Sequence, residues 1–225
     1  MTATVTTVPV PSQYLERGEI VAPVPQLLGE VTAALRRSRH IAFSQPIDKP
    51  GRHGALPLDL IGTIHEKAGF DVTFVKADGA RMRWIRAPDG HEPQIPPGTV
   101  TVIPVVSARV IGHSLSAKIA HRPERGASVT GANIGDILTP AHLARLLASP
   151  EGALRGVGDA TVIPVINMVD DAELHAAASE AARQTLALTA RFRRVVLTRM
   201  IAEDPVVAVI GDHATVHARA AKHLH

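Results

Sequence analysis

Seven short runs of β-branched and apolar residues limit what this chain can become: "ATVTTVPV" (3–10), "HIAFSQ" (40–45), "DVTFVKADG" (71–79), "VTVIPVV" (100–106), "ATVIPVIN" (160–167), "RRVVLTRM" (193–200) and "PVVAVI" (205–210). Most place apolar side chains at consecutive positions, so both faces of each strand are to be buried, as in a central parallel sheet covered by helices. Segments with helical spacing lie between them, at 24–38, 57–69, 140–148 and 171–190, the last opened by "DDAE" with Asp171 as its cap. The alternation predicts an α/β fold, a mainly parallel sheet with helices on both faces. No repeat or low-complexity linker stands out. Residues 1–211 are therefore expected to form a single α/β domain, and 212–225 a His-rich C-terminal tail.

With 225 residues the chain can bury a core without staples. It has no cysteine, which excludes disulfides, thiolate metal sites and any relay through its own thiols. Its 24 basic residues nearly balance 21 acidic ones, and aromatics make up only 3%. Neither a basic field nor a base-stacking platform is present, so nucleic acid is not an expected partner. The apolar runs are far shorter than a membrane span and no signal-peptide pattern opens the chain, so a cytoplasmic location away from membranes is expected.

Ligands of open α/β sheets sit beyond the carboxyl ends of the strands. Thr6 and Thr7 follow the first strand, Asp78 and Gly79 the third, Asn167 and Asp170 the fifth. Asp78 before glycine is placed as a magnesium-bridging or water-orienting acid would be, although Asp-Gly is also an ordinary turn pair. Asn167-x-x-Asp170 resembles the base-reading N-K-x-D loop of GTP-binding proteins, with Met168 in place of lysine; the same residues also suit a capped helix start. Pro93 directly after His91 and Glu92 stops any helical zinc motif there, which leaves both as ligand contacts from a stiff loop or as solvated residues. In "HRPERGASVTG" (121–131), Arg122 and Arg125 have the chemistry to clamp phosphate or carboxylate, or form an ordinary surface loop. His213 and His217, followed by His223 and His225, are either a transition-metal pick-up or a solvated tail. No G-x-x-x-x-G-K-(S/T) and no G-x-G-x-x-G occurs anywhere in the chain.

The order of motifs is similar to one known family. "ADGARMRWIRAPDGHEPQIP" resembles the E-A-D-G-(S/A)-R…K-A-P…H-E-P-x-I-P block of the YqeC family, described as selenium-dependent hydroxylase accessory or selenium cofactor biosynthesis proteins. The likeness continues through "GHSL", "HRPE", "TGANIGDILTPAHLARLL", "PEGALRGV" and "VIPVINMVDD", over about residues 71–171. It implies a P-loop-NTPase-like fold whose first strand and phosphate loop are missing from this chain, with Thr4, Thr6 and Thr7 as the remnant of the family's threonine-rich strand. Lys76 stands where an acid is usual, and Arg86 and Met168 where lysine is usual.

The resemblance implies an accessory protein for maturation of selenium-dependent molybdenum hydroxylases. Its degenerate nucleotide-type pocket would use Asp78 for catalysis and metal, and Thr6, Thr7, Arg81, Arg86, His91, Glu92, Arg122, Asn167 and Asp170 for ligand. Magnesium and a nucleotide are the implied cofactors, weakly held or absent in this chain, and a molybdenum hydroxylase or its cofactor-maturation machinery is the implied partner. The alternative is a non-catalytic docking protein that has lost nucleotide binding. Without a glycine-rich loop in the 225 residues, ATP or GTP is expected to bind at about millimolar or worse.

Overall fold

The computed structural model describes residues 1–12, 20–211 and 215–217. Its contacts divide the chain into two compact units, Met1–Gly79 with His91–Thr99, and Ala80–Gly90 with Val100–His225. The chain thus passes from one unit to the other three times between Gly79 and Val100, a segment that carries Arg81, Arg83, Arg86, Asp89, His91 and Glu92.

In the first unit, β1 (Thr2–Thr6), β3 (Ile20–Val21), β4 (His40–Ser44) and β6 (Val72–Lys76) form a parallel sheet in the order β3-β4-β1-β6. A small antiparallel pair, β2 (Val10–Pro11) with β5 (Arg52–His53), lies beside it in sequence. Helices α1 (Val24–Ala34) and α2 (Leu58–Ala68) supply Leu27, Val31, Ile61 and Ile64 to a core shared with Ala3, Val5, Ile41 and Phe43 of the strands. Gly69, at φ 70°, ends α2 in the left-handed conformation that only glycine adopts without strain.

In the second unit, β9 (Val105–Ser107), β12 (Val165–Asn167) and β13 (Arg194–Thr198) run parallel, and β14 (Val206–Gly211) and β15 (Thr215–His217) add antiparallel strands, in the order β15-β14-β13-β12-β9. Two short parallel pairs accompany them: β8 (Thr101–Val102) with β11 (Thr161–Val162), and β7 (Ile85–Arg86) with β10 (Ala120–His121). Helices α3 (Pro123–Thr130), α4 (Pro140–Ala148) and α5 (Ala172–Leu188) complete the unit. Leu143, Leu146 and Leu147 of α4 and Ala178, Ala181 and Ala182 of α5 are buried, the alanines letting the two helices approach closely.

The α/β class and the parallel pairing are as the sequence predicts, but the strands do not share one sheet. Three of the seven runs build the first sheet and four the second. Each of the runs 100–106 and 160–167 is cut in two by a proline, at Pro104 and Pro164. A proline has no N–H to give a ladder. "TVIPV" occurs at 101–105 and again at 161–165, and the two copies pair in register, Thr161 with Thr101 and Val165 with Val105. This small repeat is visible in the sequence once the pairing is known.

"HRPERGASVTG" is not an irregular loop. Most of it is α3, with Pro123 at its first turn and buried Thr130 donating its hydroxyl to Gly126 O at 2.7 Å. His213, His223 and His225 lie outside the described residues, and His217 ends β15.

At the start of α4, His142 Nδ1 accepts from Thr139 N at 3.1 Å, which requires the unprotonated nitrogen. Burial, and then the Arg145 guanidinium, hold the His142 pKa below its ordinary 6.5, with Asp136 opposing. The unfolded chain therefore takes up this proton more readily than the native one. Stability is full above the ordinary value and falls as pH drops through the depressed one. The urea midpoint is expected to be lower at about pH 5.5 than at about pH 7.5, and His142→Gln, which cannot titrate, is expected to shrink the difference. An unchanged difference would place the dependence elsewhere, His121 being the other histidine shifted in this direction.

Candidate functional site

In the first unit, the carboxyl ends of β1 and β6 are closed by the returning segment 91–99. Thr7 N donates to Lys76 O at 3.1 Å, Gln94 N to Ala77 O at 2.9 Å, and the Thr7 hydroxyl to Gln94 O at 2.7 Å. The Thr6 hydroxyl donates to Val8 O. Both threonines are buried: the Thr7 hydroxyl fastens the returning segment to the strand ends, and the Thr6 hydroxyl is spent on backbone carbonyls at the end of β1 and β6. Asp78 Oδ1 accepts from Gly79 N at 2.6 Å, an Asp-Gly turn, and Lys76 Nζ donates to Asp78 O. His91 and Glu92 sit in the same returning segment, where the Gln94 side-chain amide donates to His91 O and the Glu92–Pro93 bond is cis. The segment thus comes back over the strand ends within its own unit.

In the second unit the loop after β12 has the form expected of a ligand loop, and its polar groups are well engaged. Asn167 Oδ1 accepts from the Thr198 hydroxyl at 3.0 Å and from Met200 N at 3.2 Å, tying the end of β12 to the end of β13. Met168 takes a left-handed turn at φ 61° and lays its sulfur 3.1 Å from the Ser107 hydroxyl. Asp170 is gripped by Arg109, whose Nε and Nη2 reach Oδ2 at 3.0 and 2.8 Å. Asp171 caps α5, accepting from Leu174 N at 2.8 Å. Beside this loop lies an open cavity of about 360 Å³ lined by Asp170, Asp171, His175, Arg199 and Asp204. Arg109, His175, Arg199 and Asp204 were not among the residues the sequence singled out. Arg109 lies two residues beyond β9 and Arg199 directly after β13, so the strand-end rule points to both once the boundaries are fixed.

Asp78 and the Asn167–Asp170 loop follow strands of different sheets. The expectation that one sheet edge carries them together is corrected by the division of the strands. Among the described residues, no three His, Asp or Glu side chains converge as a metal site.

Arginine explains the charged segment 80–90. Arg125 Nε donates to Pro88 O at 2.9 Å and its Nη2 pairs with Glu151 at 2.9 Å; Arg155 pairs with the same carboxylate at 2.6 Å and donates to Gly90 O at 3.3 Å. Arg122 lies 3.5 Å from Asp89. The turn Pro88-Asp89-Gly90 is held by Arg125 of α3 and Arg155 of the turn after α4, with Arg122, just before α3, beside Asp89. Arg81 and Met82 lie just upstream, both with positive φ, and Arg86 ends β7.

These motifs, D-G-x-R, A-P, H-E-P-x-I-P and H-R-P-E, coincide with the match of the family described as YqeC protein, which covers residues 1–124. The chain belongs to the YqeC family. The YqeC match includes β1 and the other N-terminal strands, and it stops short of the Asn167–Asp170 loop. An Escherichia coli (strain K12) relative named "Uncharacterized protein YqeC" is 32% identical over 99 residues, 44% of this chain. The aligned stretch spans 39% of that relative's length. No solved structure matches the chain. No helix among the described residues is long and apolar enough to cross a membrane.

Proposed function

We propose that this YqeC protein is an accessory factor in the maturation of selenium-dependent molybdenum hydroxylases. On a P-loop-NTPase-like scaffold, it would receive a nucleotide-type ligand at the loop after β12. The observation that carries the ligand reading is the setting of Asp170. It lies just beyond the carboxyl end of a parallel strand, on an open cavity, at the start of a 17-residue helix. Arg109 takes Oδ2 and fixes the carboxylate, which leaves Oδ1 to accept N–H groups from the edge of a base. The maturation role itself rests on the motif resemblance.

The commitment of Thr6, Thr7 and Asn167 to internal hydrogen bonds favours the second reading, a docking protein that has ceased to bind nucleotide. Calorimetry with magnesium and ATP or GTP separates the two. A nucleotide pocket gives saturable binding at about millimolar, weakened about tenfold by Asp170→Asn. No binding, combined with loss of selenium-dependent hydroxylase activity when the gene is deleted, supports the docking reading. Micromolar binding indifferent to Asp170→Asn would show that the pocket lies elsewhere.

A further inference from the structure

The pair β7–β10 sets Arg86 and Arg122, both candidate ligand residues in the sequence, beside His121, which was not one, and it stands apart from the loop after β12. Its register sets His121 opposite Arg86, so both side chains leave the same face at the carboxyl ends of two parallel strands. Both are half-buried. The chain then turns at once: Arg122 takes the left-handed conformation at φ 57°, and α3 begins at Pro123. His121 Nδ1 is buried and has no hydrogen-bond partner among the described residues. A buried ring nitrogen without a partner is costly.

We infer that the carboxyl ends of β7 and β10 form an oxyanion site, in which Arg86, His121 and Arg122 contact a phosphate-type group while Arg81 and Arg83 add positive field. Guanidinium groups match the oxygens of such a group in pairs, and the unpartnered imidazole nitrogen gains a ligand. Burial, then Arg86, Arg122, Arg81 and Arg83 in that order, push the His121 pKa below its ordinary value. The imidazole is thus neutral in the empty site, and a bound anion draws a proton onto it. The charged groups around it are Arg86 on β7, Arg81 and Arg83 before that strand, Asp89 after it, and Arg122, Glu124 and Arg125 at the start of α3. Arg125 is directed to Pro88 O and Glu151, and Asp89, exposed at the rim, sits a loose 3.5 Å from Arg122. Every residue assigned to the site lies within the span of the YqeC match. The site stands whether or not the loop after β12 binds a nucleotide.

The test is an NMR titration of the His121 ring signals with sodium sulfate at constant ionic strength, on the whole chain. Sulfate keeps its charge across the working pH range, so any pH dependence belongs to the protein. A saturable shift is expected, with affinity rising as pH falls through the depressed His121 pKa and flat with pH in His121→Gln. Arg122→Gln is expected to weaken binding about tenfold, and Arg81→Gln, at an exposed position, about threefold. Arg183→Gln, which removes an exposed arginine of α5 paired to Glu180, should leave it unchanged. Inorganic phosphate and AMP then separate the sources of the ligand: equal affinity marks a free oxyanion, tighter AMP binding a phosphate ester. Ring signals that do not move in a folded protein, a linear response without saturation, or equal weakening by Arg183→Gln would each overturn the site.

Discussion

Gly152→Ala is expected to lower the stability of the native state by about 3 kcal/mol. A Cβ at this position would lie 2.2 Å from Leu146 O, 3.1 Å from Leu146 C and 3.2 Å from Leu146 Cδ1. The first contact is with backbone, which cannot rotate away as a side chain can. Leu146 O already accepts from Ala153 N at 3.0 Å, and Gly152 N donates to Ser149 O at 3.0 Å, so the turn is drawn onto the end of α4 from both sides of the glycine. Relief requires moving α4, whose Leu146 is buried, or breaking the bond to Ala153. The same turn carries Glu151 and Arg155, so the damage extends to the support of Pro88 and Gly90. Gly62→Ala in α2 is the control. Nothing lies within 4 Å of a Cβ there, and an interior helical glycine replaced by alanine should gain about 0.5–1 kcal/mol. Urea denaturation of the two variants measures both. A Gly152→Ala protein within about 0.5 kcal/mol of the parent would mean that the turn is not seated as described.

The sequence was most legible where the physics is local. Apolar runs marked the main strands, and periodicity located α1, α2, α4 and α5, with Asp171 found in its capping role. It was least legible where pairing over long distances decides. Nothing local in "ATVTTVPV" or "ATVIPVIN" says that they belong to different sheets, because both are equally suited to burial on two faces. Helix α3 was hidden by its composition: Pro, Glu, Arg, Gly and Ser, with Gly131 just beyond, read as a turn, and its packing on its neighbours favours the helix. Met168 illustrates the same limit. Its place in N-x-x-D is evident in sequence, whereas its left-handed backbone and contact with Ser107 depend on β9 lying beside β12.

Residue types alone do not show that the charged stretch after β6 is divided between two units. Acids, arginines and prolines gathered in one segment suggest one ligand loop. The fold instead gives residues 91–99 to the first unit, where Gln94 pins the segment to β1 and β6, and residues 80–90 to the second, where arginines of distant elements hold the turn at Asp89. Within the stretch, Lys76 and Arg83 donate to the backbone carbonyls of Asp78 and Ala117. His121 drew little attention in the sequence because a histidine before Arg-Pro is unremarkable. Its distinction is the arginine that the β7–β10 register sets opposite it, and no local pattern encodes that register.

Phe43→Ala is expected to cost about 3–5 kcal/mol, a large fraction of the stability of a typical domain. Phe43 lies in β4, between β3 and β1, and is only 2% exposed. Its ring stacks on Phe70, with centroids 6.2 Å apart and planes 19° from parallel, and the helical leucine and isoleucines of α1 and α2 pack in the same cluster. The chain has just four phenylalanines, so aliphatic side chains supply most of the core and none nearby can fill the space a ring leaves. Phe43→Leu keeps more of that volume and should cost about 1 kcal/mol. The effect reaches the candidate site through the ladder: β4 aligns β1, and β1 in register with β6 places Thr7 against Lys76 and Gln94. Hydrogen exchange at the Thr7 and Gln94 amides should therefore accelerate along with the fall in denaturation midpoint, and both should recover in Phe43→Leu. A Phe43→Ala protein that loses less than about 1 kcal/mol would show that this ring is not the keystone of the first unit's core. Loss of stability without faster exchange at Thr7 would show that the strand ends are held independently of β4.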